Sequence, residues 1–524
     1  MRWTDSPEPS PGRFRVRPPR PVRAARSRGV PVSSPQEYDV VVVGGGPAGS
    51  TVSTLVGKRG HRVLLLEKEG FPRYQIGESL LPATVHGIAH LLGVDDELRR
   101  AGFTVKRGGT FKWGSNPKPW TFEFAVSRRM AGPTSYAYQV ERMKFDSILL
   151  DNARKNGVEV RENSPVTGVV EEDGRVRGVR YRDLDGRTAE VRARYVVDAS
   201  GNTSRLYGRA GAERRYSPFF RNLALFAYYE GGGRLPAPYE GNILSVAFDH
   251  GWFWYIPLSP TLTSVGAVVG RESAQLVQGD PEAAMRRFVD ACPLIREKLA
   301  GATRVTEGPY GRFRVRKDWS YCNTRFWGPG MVLVGDSACF VDPVFSSGVH
   351  LATYGGLLAA RSVNSCLAGT VDEESAFAEF ERRYRREYGL FHEFLIGFYD
   401  MHQSEDSYFW RARKVSDTAP TDVEAFVELV GGVASEEIAG GVMARARLAA
   451  TSRELAKTVA AFEEEPVDSL GAASGPVLSR LLEQGAALQG RALLGERAGE
   501  GGPLEPGGLR ASADGLMWVR HEPA

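Results

Sequence analysis

The stretch YDVVVVGGGPAG, residues 38–49, decides the fold that this sequence predicts. Residues 40–43 form an apolar, β-branched run, which is typical of a strand buried on both faces of a parallel sheet. Gly44, Gly46 and Gly49 follow in the spacing GxGxxG, which predicts a tight turn into a helix. The middle glycine of this pattern lets backbone approach a pyrophosphate, and the helix N-terminus attracts the anion.

The residues that follow the turn strengthen the prediction of a dinucleotide site. A helical stretch from residue 47 to about 59 leads to a second apolar strand, residues 62–66, which ends at Glu67. An acid at this spacing binds the ribose of a dinucleotide in Rossmann folds. The alternative is a βαβ turn with a purely structural role, but strand, turn, helix and acid together favour a nucleotide site.

The composition and net charge of the chain exclude few classes of protein. The chain has 524 residues, enough to bury a large core and form two to four domain-sized units. Residues 1–36 contain eight arginines and two acidic residues, so the remainder is nearly balanced in charge and no nucleic-acid partner is expected. Because this tail is rich in Pro, Arg and Ser and poor in apolar residues, it is predicted to be disordered.

The sequence predicts a cytoplasmic protein without a membrane span or a metal site. No apolar run reaches the length that crosses a bilayer. The cysteines at positions 292, 322, 339 and 366 show no metal or redox spacing, which favours reduced thiols. His86 and His90 are four residues apart, but no carboxylate accompanies them in a zincin pattern, so a packed or surface pair is expected.

The rest of the chain predicts a second layer and a helical end. Residues 158–197 alternate as β-strands with a hairpin turn at residues 173–174, and residues from about 210 to 325 are again β-rich. The chain is thus expected to be an α/β protein with a disordered tail over 1–36, a nucleotide-binding and substrate module over 37–390, and a helical C-terminal region over 391–524 with a mobile end.

A second strong signal is the stretch MVLVGDSACFVDPVFSSGVHLA, residues 331–352. Asp336 follows a buried strand, and a helix is expected to begin near Gly348. An acid at the end of such a strand suits a sugar or a ribityl chain. The free N–H groups at the start of a helix suit an anion or a ring carbonyl.

These motifs resemble those of a known enzyme family. GGGPAG, Glu67, VVDASG and GDSACFVDPVFSSG are similar to the FAD-binding fold of flavin monooxygenases of the para-hydroxybenzoate hydroxylase type. Within that superfamily, FPRYQIGESLLP, FTVKRGGTFKWG, GWFWYIP and DPVFSSGVHLA resemble flavin-dependent halogenases of natural-product biosynthesis, and most closely those that act on phenolic rings. The resemblance spans about residues 37–400.

The resemblance implies both an architecture and a reaction. It implies a Rossmann-like FAD-binding domain, a β-sheet substrate region and a helical C-terminal part. Reduced FAD, oxygen and chloride would together make hypochlorous acid, which would chlorinate an electron-rich aromatic ring. The cofactor-binding residues carried over by the resemblance are Gly44, Gly46, Ala48, Gly49, Glu67, Arg73, Arg142 and Asp336.

The resemblance also assigns the halogen chemistry to three residues. Lys106, within VKRGGTFKWG, would hold the oxidant as a chloramine or by a hydrogen bond and present chlorine to the aromatic carbon. A desolvated amine has a lowered pKa and becomes nucleophilic, although the residue alone would be read as an ordinary surface lysine. Ser347 and Gly348 match the halide-binding step through their N–H groups.

Aromatic residues are expected to separate the flavin from the substrate. Trp252 and Trp254 fit the WxWxIP signature and share one face of a strand, so they either line this wall functionally or simply fill it. Tryptophan-type halogenases carry a glutamate beside the lysine, where this chain has Phe345. That difference disfavours a free indole and favours a phenol, which needs less help from a carboxylate.

The expected partners are a flavin reductase and an aromatic substrate. No second GxGxxG follows, which predicts delivery of reduced flavin by a separate reductase, although related hydroxylases bind NADPH without such a domain. The aromatic molecule is either free or tethered to an acyl carrier protein. Arg382, Arg383, Arg385 and Arg386 would dock an acidic carrier, or else belong to a solvated helix face with glutamate partners.

Three other functions fit parts of the pattern. An aromatic hydroxylase would share the FAD motifs without needing Lys106. A flavin reductase of prenyl chains would share the GESLLP-like loop, and a non-catalytic flavoprotein would keep only the nucleotide turn.

Overall fold

A parallel sheet forms around the strand that opens the nucleotide motif. The computed structural model describes residues 37–113, 118–124, 135–317, 319–400 and 508–520. The tail expected over residues 1–36 and most of the expected C-terminal helical region, residues 401–507, lie outside the described residues.

Strands outnumber helices among the described residues. The strands are β1 Glu37–Val43, β2 Val63–Leu66, β3 Thr104–Lys106, β4 Gly108–Lys112, β5 Trp120–Glu123, β6 Ala137–Gln139, β7 Glu159–Arg161, β8 Val166–Glu172, β9 Arg175–Arg182, β10 Thr188–Asp198, β11 Arg214–Tyr216, β12 Asn222–Glu230, β13 Ile243–Phe248, β14 Gly251–Pro257, β15 Leu262–Gly270, β16 Thr303–Arg304, β17 Arg314–Lys317, β18 Tyr321–Asn323, β19 Trp327–Gly328, β20 Met331–Leu333, β21 Cys339–Phe340, β22 Leu509–Ala511 and β23 Trp518–Arg520. The helices are α1 Pro47–Gly57, α2 Ala89–Leu92, α3 Asp95–Arg100, α4 Arg142–Lys155, α5 Pro281–Asp290, α6 Pro293–Leu299, α7 Ser347–Ala368 and α8 Glu373–Asp400. Short 3-10 turns lie at Tyr207–Ala210, Arg271–Val277, Gly308–Tyr310, Gly335–Ser337 and Pro343–Phe345, and a π-helical turn at Ala83–Ile88 precedes α2.

The first sheet has the order β19-β20-β10-β1-β2-β7, with the β8–β9 hairpin attached to β10. Strand β1 is parallel to β10 and β2, and Val41 is fully buried between its partners Val196 and Leu64. The hairpin turn expected at residues 173–174 is present, with positive φ at Asp173 and Gly174. The α/β prediction with a Rossmann-like nucleotide domain is therefore confirmed.

The turn between β1 and α1 requires glycine for a steric reason. Gly44 has φ of 102°, and a Cβ built on Gly49 would lie 1.9 Å from the carbonyl oxygen of Gly44. Only glycine permits this approach of helix α1 to the end of strand β1.

A second, largely antiparallel sheet has the order β16-β12-β15-β14-β13-β4-β5, with β17 also paired to β12. Alternate residues of β14 belong to different cores. Trp252 and Trp254 face the main core, whereas Phe253 and Tyr255 face a smaller core that also contains Phe288 of α5. The period of two therefore decides which aromatic side chains point towards the first sheet.

The end of the chain differs from the expected helical region. Residues 508–520 form the hairpin of β22 and β23, and Trp518 is fully buried. The Trp518 backbone N–H donates to Ser365 Oγ and its indole N–H donates to Ser362 Oγ, both at 2.8 Å. The hairpin exists because α7 supplies these partners, which lie about 150 residues away in sequence. No described helix combines the length and apolar character that a bilayer span requires.

Candidate active site

The glycine turn and Glu67 form one unit at the edge of the first sheet. Glu67 is buried, and its Oε2 accepts the Gly45 N–H at 2.6 Å. A Cβ added to Gly46 would meet only the end of the Arg73 side chain, at 3.2 Å. Ala48 lies in the first turn of α1, with its Cβ close to Gly335. This open cradle at a helix N-terminus, with an acid beside it, fits the pyrophosphate and ribose of FAD.

The two candidate cofactor arginines are joined by an acid that the sequence analysis missed. Arg73 Nη1 lies 3.1 Å from Asp146 Oδ2, and Arg142 contacts the same carboxylate through Nε at 2.7 Å and Nη2 at 2.9 Å. Asp146 is fully buried. Its position four residues after Arg142 on α4 was the available signal. Asp146 holds both guanidinium groups at the side of the glycine turn.

Asp336 lies in a 3-10 turn directly after strand β20. It is half-buried, and burial raises the pKa of its carboxyl to about 6, opposed by the charges of Arg142, Arg214 and Arg316. This acid therefore lies within electrostatic reach of Arg142, as expected for one end of a shared polar site.

Lys106 is buried, not an ordinary surface lysine. Its exposed fraction is 2%, and Nζ donates to Ser79 Oγ at 2.9 Å and to the Leu80 carbonyl at 3.1 Å. The ring of Phe124 lies 5.6 Å from Nζ. Burial lowers the pKa of the Lys106 amine to about 7, so much of it is neutral at physiological pH. Ser79, in the GESLLP loop, was not identified from the sequence.

The start of α7 lies beside this amine. Lys106 Nζ is 3.5 Å from the Oγ of Ser346, which has φ of 61° immediately before the helix. Ser347 is fully buried, and its Oγ has no hydrogen-bond partner among the described residues. Gly348 lies against Phe340, because an added Cβ would be 2.7 Å from that ring. The structure thus brings the predicted lysine to Ser346, the residue immediately before the predicted halide residues.

Both tryptophans of β14 are buried with their indole nitrogens paired. Trp252 donates to Tyr399 Oη at 2.6 Å, and Tyr399 donates to Asp342 Oδ1 at 3.2 Å. Asp342 caps the turn before α7 by accepting the Val344 N–H at 3.1 Å. A chain of hydrogen bonds therefore connects Trp252 to the turn immediately before α7.

Trp254 and Phe345 occupy the aromatic interior between the sheets. Trp254 donates to Ser264 Oγ at 3.2 Å and packs 5.4 Å from the ring of Phe226. Phe345 is half-buried, with ring centroids 5.8 Å from Phe111 and 4.6 Å from Phe398. Phe345 is therefore part of an aromatic cluster.

Three of the four candidate arginines of α8 have glutamate partners on their own helix. Arg382 and Arg383 contact Glu379 at 3.1 and 2.6 Å, and Arg385 contacts Glu381 at 2.6 Å. The glutamate partners of the second alternative are thus present. The face is not solvated throughout, because Arg383 and Glu379 are buried and Arg383 also donates to the Leu509 carbonyl at 3.0 Å. Within the described parts of the chain, no group of three or more potential ligands is arranged to hold a metal ion.

We expect Lys106→Met to raise the stability of the protein at neutral pH. The lysine amine of an unfolded chain has a pKa near 10.4, so between pH 7 and about 10 the unfolded state binds more protons than the folded state. The free energy of unfolding of the native protein therefore rises with pH across this window. Removing the amine should raise Tm by about 5 °C at pH 7.5, and this difference should shrink towards pH 10.

Thermal unfolding followed by circular dichroism at pH 6.5, 7.5 and 9 measures the effect. A methionine variant that is less stable than the native protein at pH 7.5 would show that the amine is charged or stabilising in the folded state.

Comparison with known proteins identifies the family of this chain. The model of the tryptophan halogenase family matches residues 39–130 and 127–457. A tryptophan 2-halogenase of Chondromyces crocatus is 35% identical over 386 residues, which are 73% of this chain and 72% of that protein. The structure of a myxobacterial chondrochloren halogenase, described as a variant of FAD-dependent halogenases, is 52% identical with a TM-score of 0.74, covering 93% of this chain and all of that one. The structure of CmlS, a flavin-dependent halogenase, is 29% identical with a TM-score of 0.71, covering 93% of this chain and 84% of that one. The chain therefore belongs to the tryptophan halogenase family and is a flavin-dependent halogenase, an oxidoreductase.

Proposed function

We propose that this enzyme uses reduced FAD, oxygen and chloride to halogenate a phenolic ring in secondary metabolism. The observation that carries the proposal is the buried Lys106 amine, 3.5 Å from Ser346 at the start of α7. An aromatic hydroxylase has no use for a desolvated amine at this position. The similarity to named halogenases also argues against the prenyl-chain reductase and the non-catalytic flavoprotein.

Residues at the edge of the first sheet are suited to hold FAD. The glycine turn and the N-terminus of α1 would bind its pyrophosphate, Glu67 its ribose, and Asp336 its ribityl chain. Arg73 and Arg142, fixed by Asp146, add positive charge on the same side. Bound FAD, when reduced, supplies the two-electron chemistry with oxygen that oxidises a halide ion to hypohalous acid.

Residues at the start of α7 are suited to bind the halide. The N–H groups of Ser347 and Gly348 lie at the N-terminus of a 22-residue helix, where the backbone attracts an anion. The buried Ser347 Oγ, which lacks a partner among the described residues, adds a hydroxyl donor.

Lys106 is suited to carry the halogen to the substrate. Its neutral amine can take halogen from hypohalous acid to give an N–halogen bond and water, or can hold the acid by a hydrogen bond. Ser79 and Leu80 orient Nζ at 2.9 and 3.1 Å. Attack by the aromatic carbon then forms the carbon–halogen bond, and the amine is regenerated as the ring loses its proton.

The aromatic surroundings favour a phenol as the substrate. Phe345 places an apolar ring where a carboxylate would activate an indole, and a phenol is already electron-rich. The chondrochloren halogenase, which is 52% identical to this chain, is named for a substrate other than tryptophan. The name of the tryptophan 2-halogenase, 35% identical, makes an indole the second candidate.

Halide-dependent product formation tests the proposed reaction. The enzyme, a flavin reductase, NADH and FAD are incubated with a panel of phenols and with tryptophan, in chloride, in bromide and without halide. We expect a halogenated phenol, identified by mass and isotope pattern, only when halide is present. A hydroxylated product without halide would establish the hydroxylase instead, and halogenated tryptophan alone would establish the indole substrate.

We expect NADH alone to give no turnover, because no second nucleotide-binding glycine motif follows the first. An unrelated flavin reductase should restore activity, since only reduced FAD needs to be delivered. Stopped-flow absorbance of the bound flavin measures this. Rapid bleaching by NADH in a reductase-free preparation would contradict a separate reductase.

A further inference from the structure

Cys322 and Cys339 are two free thiols on neighbouring strands, and the proposed reaction uses neither of them. Strand β18 lies between β11 and β21 in a three-stranded sheet. In the antiparallel pairing of β18 with β21, Cys322 lies directly opposite Cys339. Because opposite residues of an antiparallel pair project from the same face of the sheet, the two thiols lie on the same side.

The backbone at this pair has a spacing that suits a disulfide. The Asn323 N–H donates to the Ala338 carbonyl at 3.0 Å, so Cys322 and Cys339, one position along, form a non-hydrogen-bonded pair. The Cα atoms of such a pair are about 4.5 Å apart, and disulfides span about 4.4–6.8 Å between Cα atoms. A bond between the two sulfur atoms can therefore form by side-chain rotation, without separating the strands.

The two thiols differ in their access to solvent and in their surroundings. Cys322 is half-buried, and its Sγ accepts from Arg385 Nη1 at 3.4 Å. Burial raises the pKa of the Cys322 thiol, and the charge of Arg385 opposes this rise by favouring the thiolate. Cys339 is 1% exposed and lies beside the side chain of Tyr384. An oxidant from solvent thus meets Cys322 first, with Cys339 behind it as the second thiol.

The other cysteines lack this arrangement. All four cysteines of the chain lie in described residues, and only Cys322 and Cys339 face each other across a strand pair. Cys292 belongs to the smaller core, and Cys366 is half-buried on α7 beside Tyr195. Cys366 therefore provides a comparison thiol of similar exposure that has no cysteine partner.

The dithiol lies close to the proposed halide site. Cys339 adjoins Phe340, whose ring is 2.7 Å from a Cβ added to Gly348. Because successive residues of a strand face opposite sides, Phe340 faces the start of α7 while Cys339 faces Tyr384 of α8. The two thiols are thus one residue away from a ring that contacts the segment where the oxidant would be made.

We propose that Cys322 and Cys339 form a redox-active dithiol that hypohalous acid converts to a disulfide, so that the enzyme consumes escaped oxidant within its own fold. The inference rests on the proposed function for the source of this oxidant. The Cys322 sulfur takes halogen from hypohalous acid, which forms a sulfur–halogen bond and releases water. The Cys339 sulfur then attacks the Cys322 sulfur, and the halogen leaves as halide ion together with the Cys339 proton. The two thiols lose two electrons in total, and the halogen gains them.

Reagent hypochlorous acid tests the dithiol directly. The reduced full-length protein, freed of reductant, is treated with one equivalent, and its peptides are mapped by mass spectrometry without reduction. We expect most of the lost thiol to appear as a Cys322–Cys339 disulfide that dithiothreitol reverses. Cys366→Ser is the matched control, because it removes another half-buried thiol, and it should form as much disulfide. Thiol loss at Cys366 with Cys322 and Cys339 still reduced would overturn the proposal.

Two variants test the roles of the separate thiols. In Cys339→Ser, Cys322 has no second thiol to meet, so we expect it to proceed to sulfinic and sulfonic acid, which dithiothreitol does not reverse. In Cys322→Ser, which serves if the first variant does not fold, the buried Cys339 should remain a thiol. Folding is checked by thermal unfolding. A reversible intramolecular disulfide in folded Cys339→Ser, or loss of the Cys339 thiol at the native rate in Cys322→Ser, would contradict these roles.

Turnover without an aromatic substrate separates the dithiol from the proposed function. The enzyme is incubated with a flavin reductase, NADH, FAD and catalase, in chloride or without halide, and the same peptides are mapped. We expect the disulfide to accumulate only in chloride. A disulfide that forms with the reagent but not during turnover would support the dithiol and refute the enzymatic oxidant, whereas no disulfide with the reagent would refute the dithiol itself.

Discussion

Lys106→Met is expected to abolish halogenated product while reduced flavin is still oxidised by oxygen. Methionine keeps the length and volume of the buried side chain but removes the amine that Ser79 and Leu80 orient. Halide oxidation would take place beside Ser347 and Gly348, whereas the lysine acts afterwards on the oxidant. We therefore expect product formation to fall by about 10³-fold or more, with little change in flavin reoxidation.

Product by mass spectrometry and flavin reoxidation by absorbance are measured on the same samples, with chloride and with bromide. Lys112→Met is the matched control, because Lys112 is also buried but lies on β4 near Cys292, a residue of the smaller core. Halogenation should survive in that control. Retained halogenation in a folded Lys106→Met protein would remove the lysine from the reaction and restore the hydroxylase as a candidate.

A further substitution distinguishes the two proposed roles of the Lys106 amine, which are to form an N–halogen bond or to hold hypohalous acid by a hydrogen bond. Lys106→Arg keeps a hydrogen-bond donor but has no free amine at any accessible pH. Loss of product in this variant supports halogen transfer through an N–halogen bond, whereas residual product with unchanged regiochemistry supports a hydrogen bond to hypohalous acid.

Gly46→Val is expected to prevent FAD binding without unfolding the protein. An added Cβ at Gly46 meets only Nη2 of the Arg73 side chain, at 3.2 Å, and the backbone there has φ of −71°, which valine tolerates. The side chain would occupy the cradle proposed for the pyrophosphate. We expect the Kd for FAD to rise by about 100-fold or more, with Tm changed little.

Two companion variants make this result specific. Gly49→Ala should instead misfold, because its Cβ would lie 1.9 Å from the Gly44 carbonyl oxygen. Gly168→Val, at a position on β8 with nothing within 4 Å of the added Cβ, should change neither FAD binding nor folding. Equilibrium dialysis against FAD and thermal unfolding measure all three. FAD binding of native strength in folded Gly46→Val would show that the pyrophosphate does not lie against this turn.

The sequence by itself determined the nucleotide half of the fold. Residues 40–43, the glycine turn and helix α1 are adjacent in the chain, so local pattern and steric limits suffice to define them. The period of two likewise placed Trp252 and Trp254 on one face of β14. Beyond that, the resemblance carried by the motifs identified the enzyme family, and the comparisons confirmed it.

Only the tertiary structure decided the environment of the reactive groups. The pKa of Lys106 depends on desolvation by segments far away in the chain, including Ser346, which is 240 residues distant. The bracing of Arg73 by Asp146 is likewise a product of long-range packing. The hairpin at residues 508–520 has strands of three residues, too short for a pattern to reveal, and it is held by hydrogen bonds to α7. Contacts between distant segments leave no periodic trace in the sequence, which is why burial, charge state and pairing had to come from the folded chain.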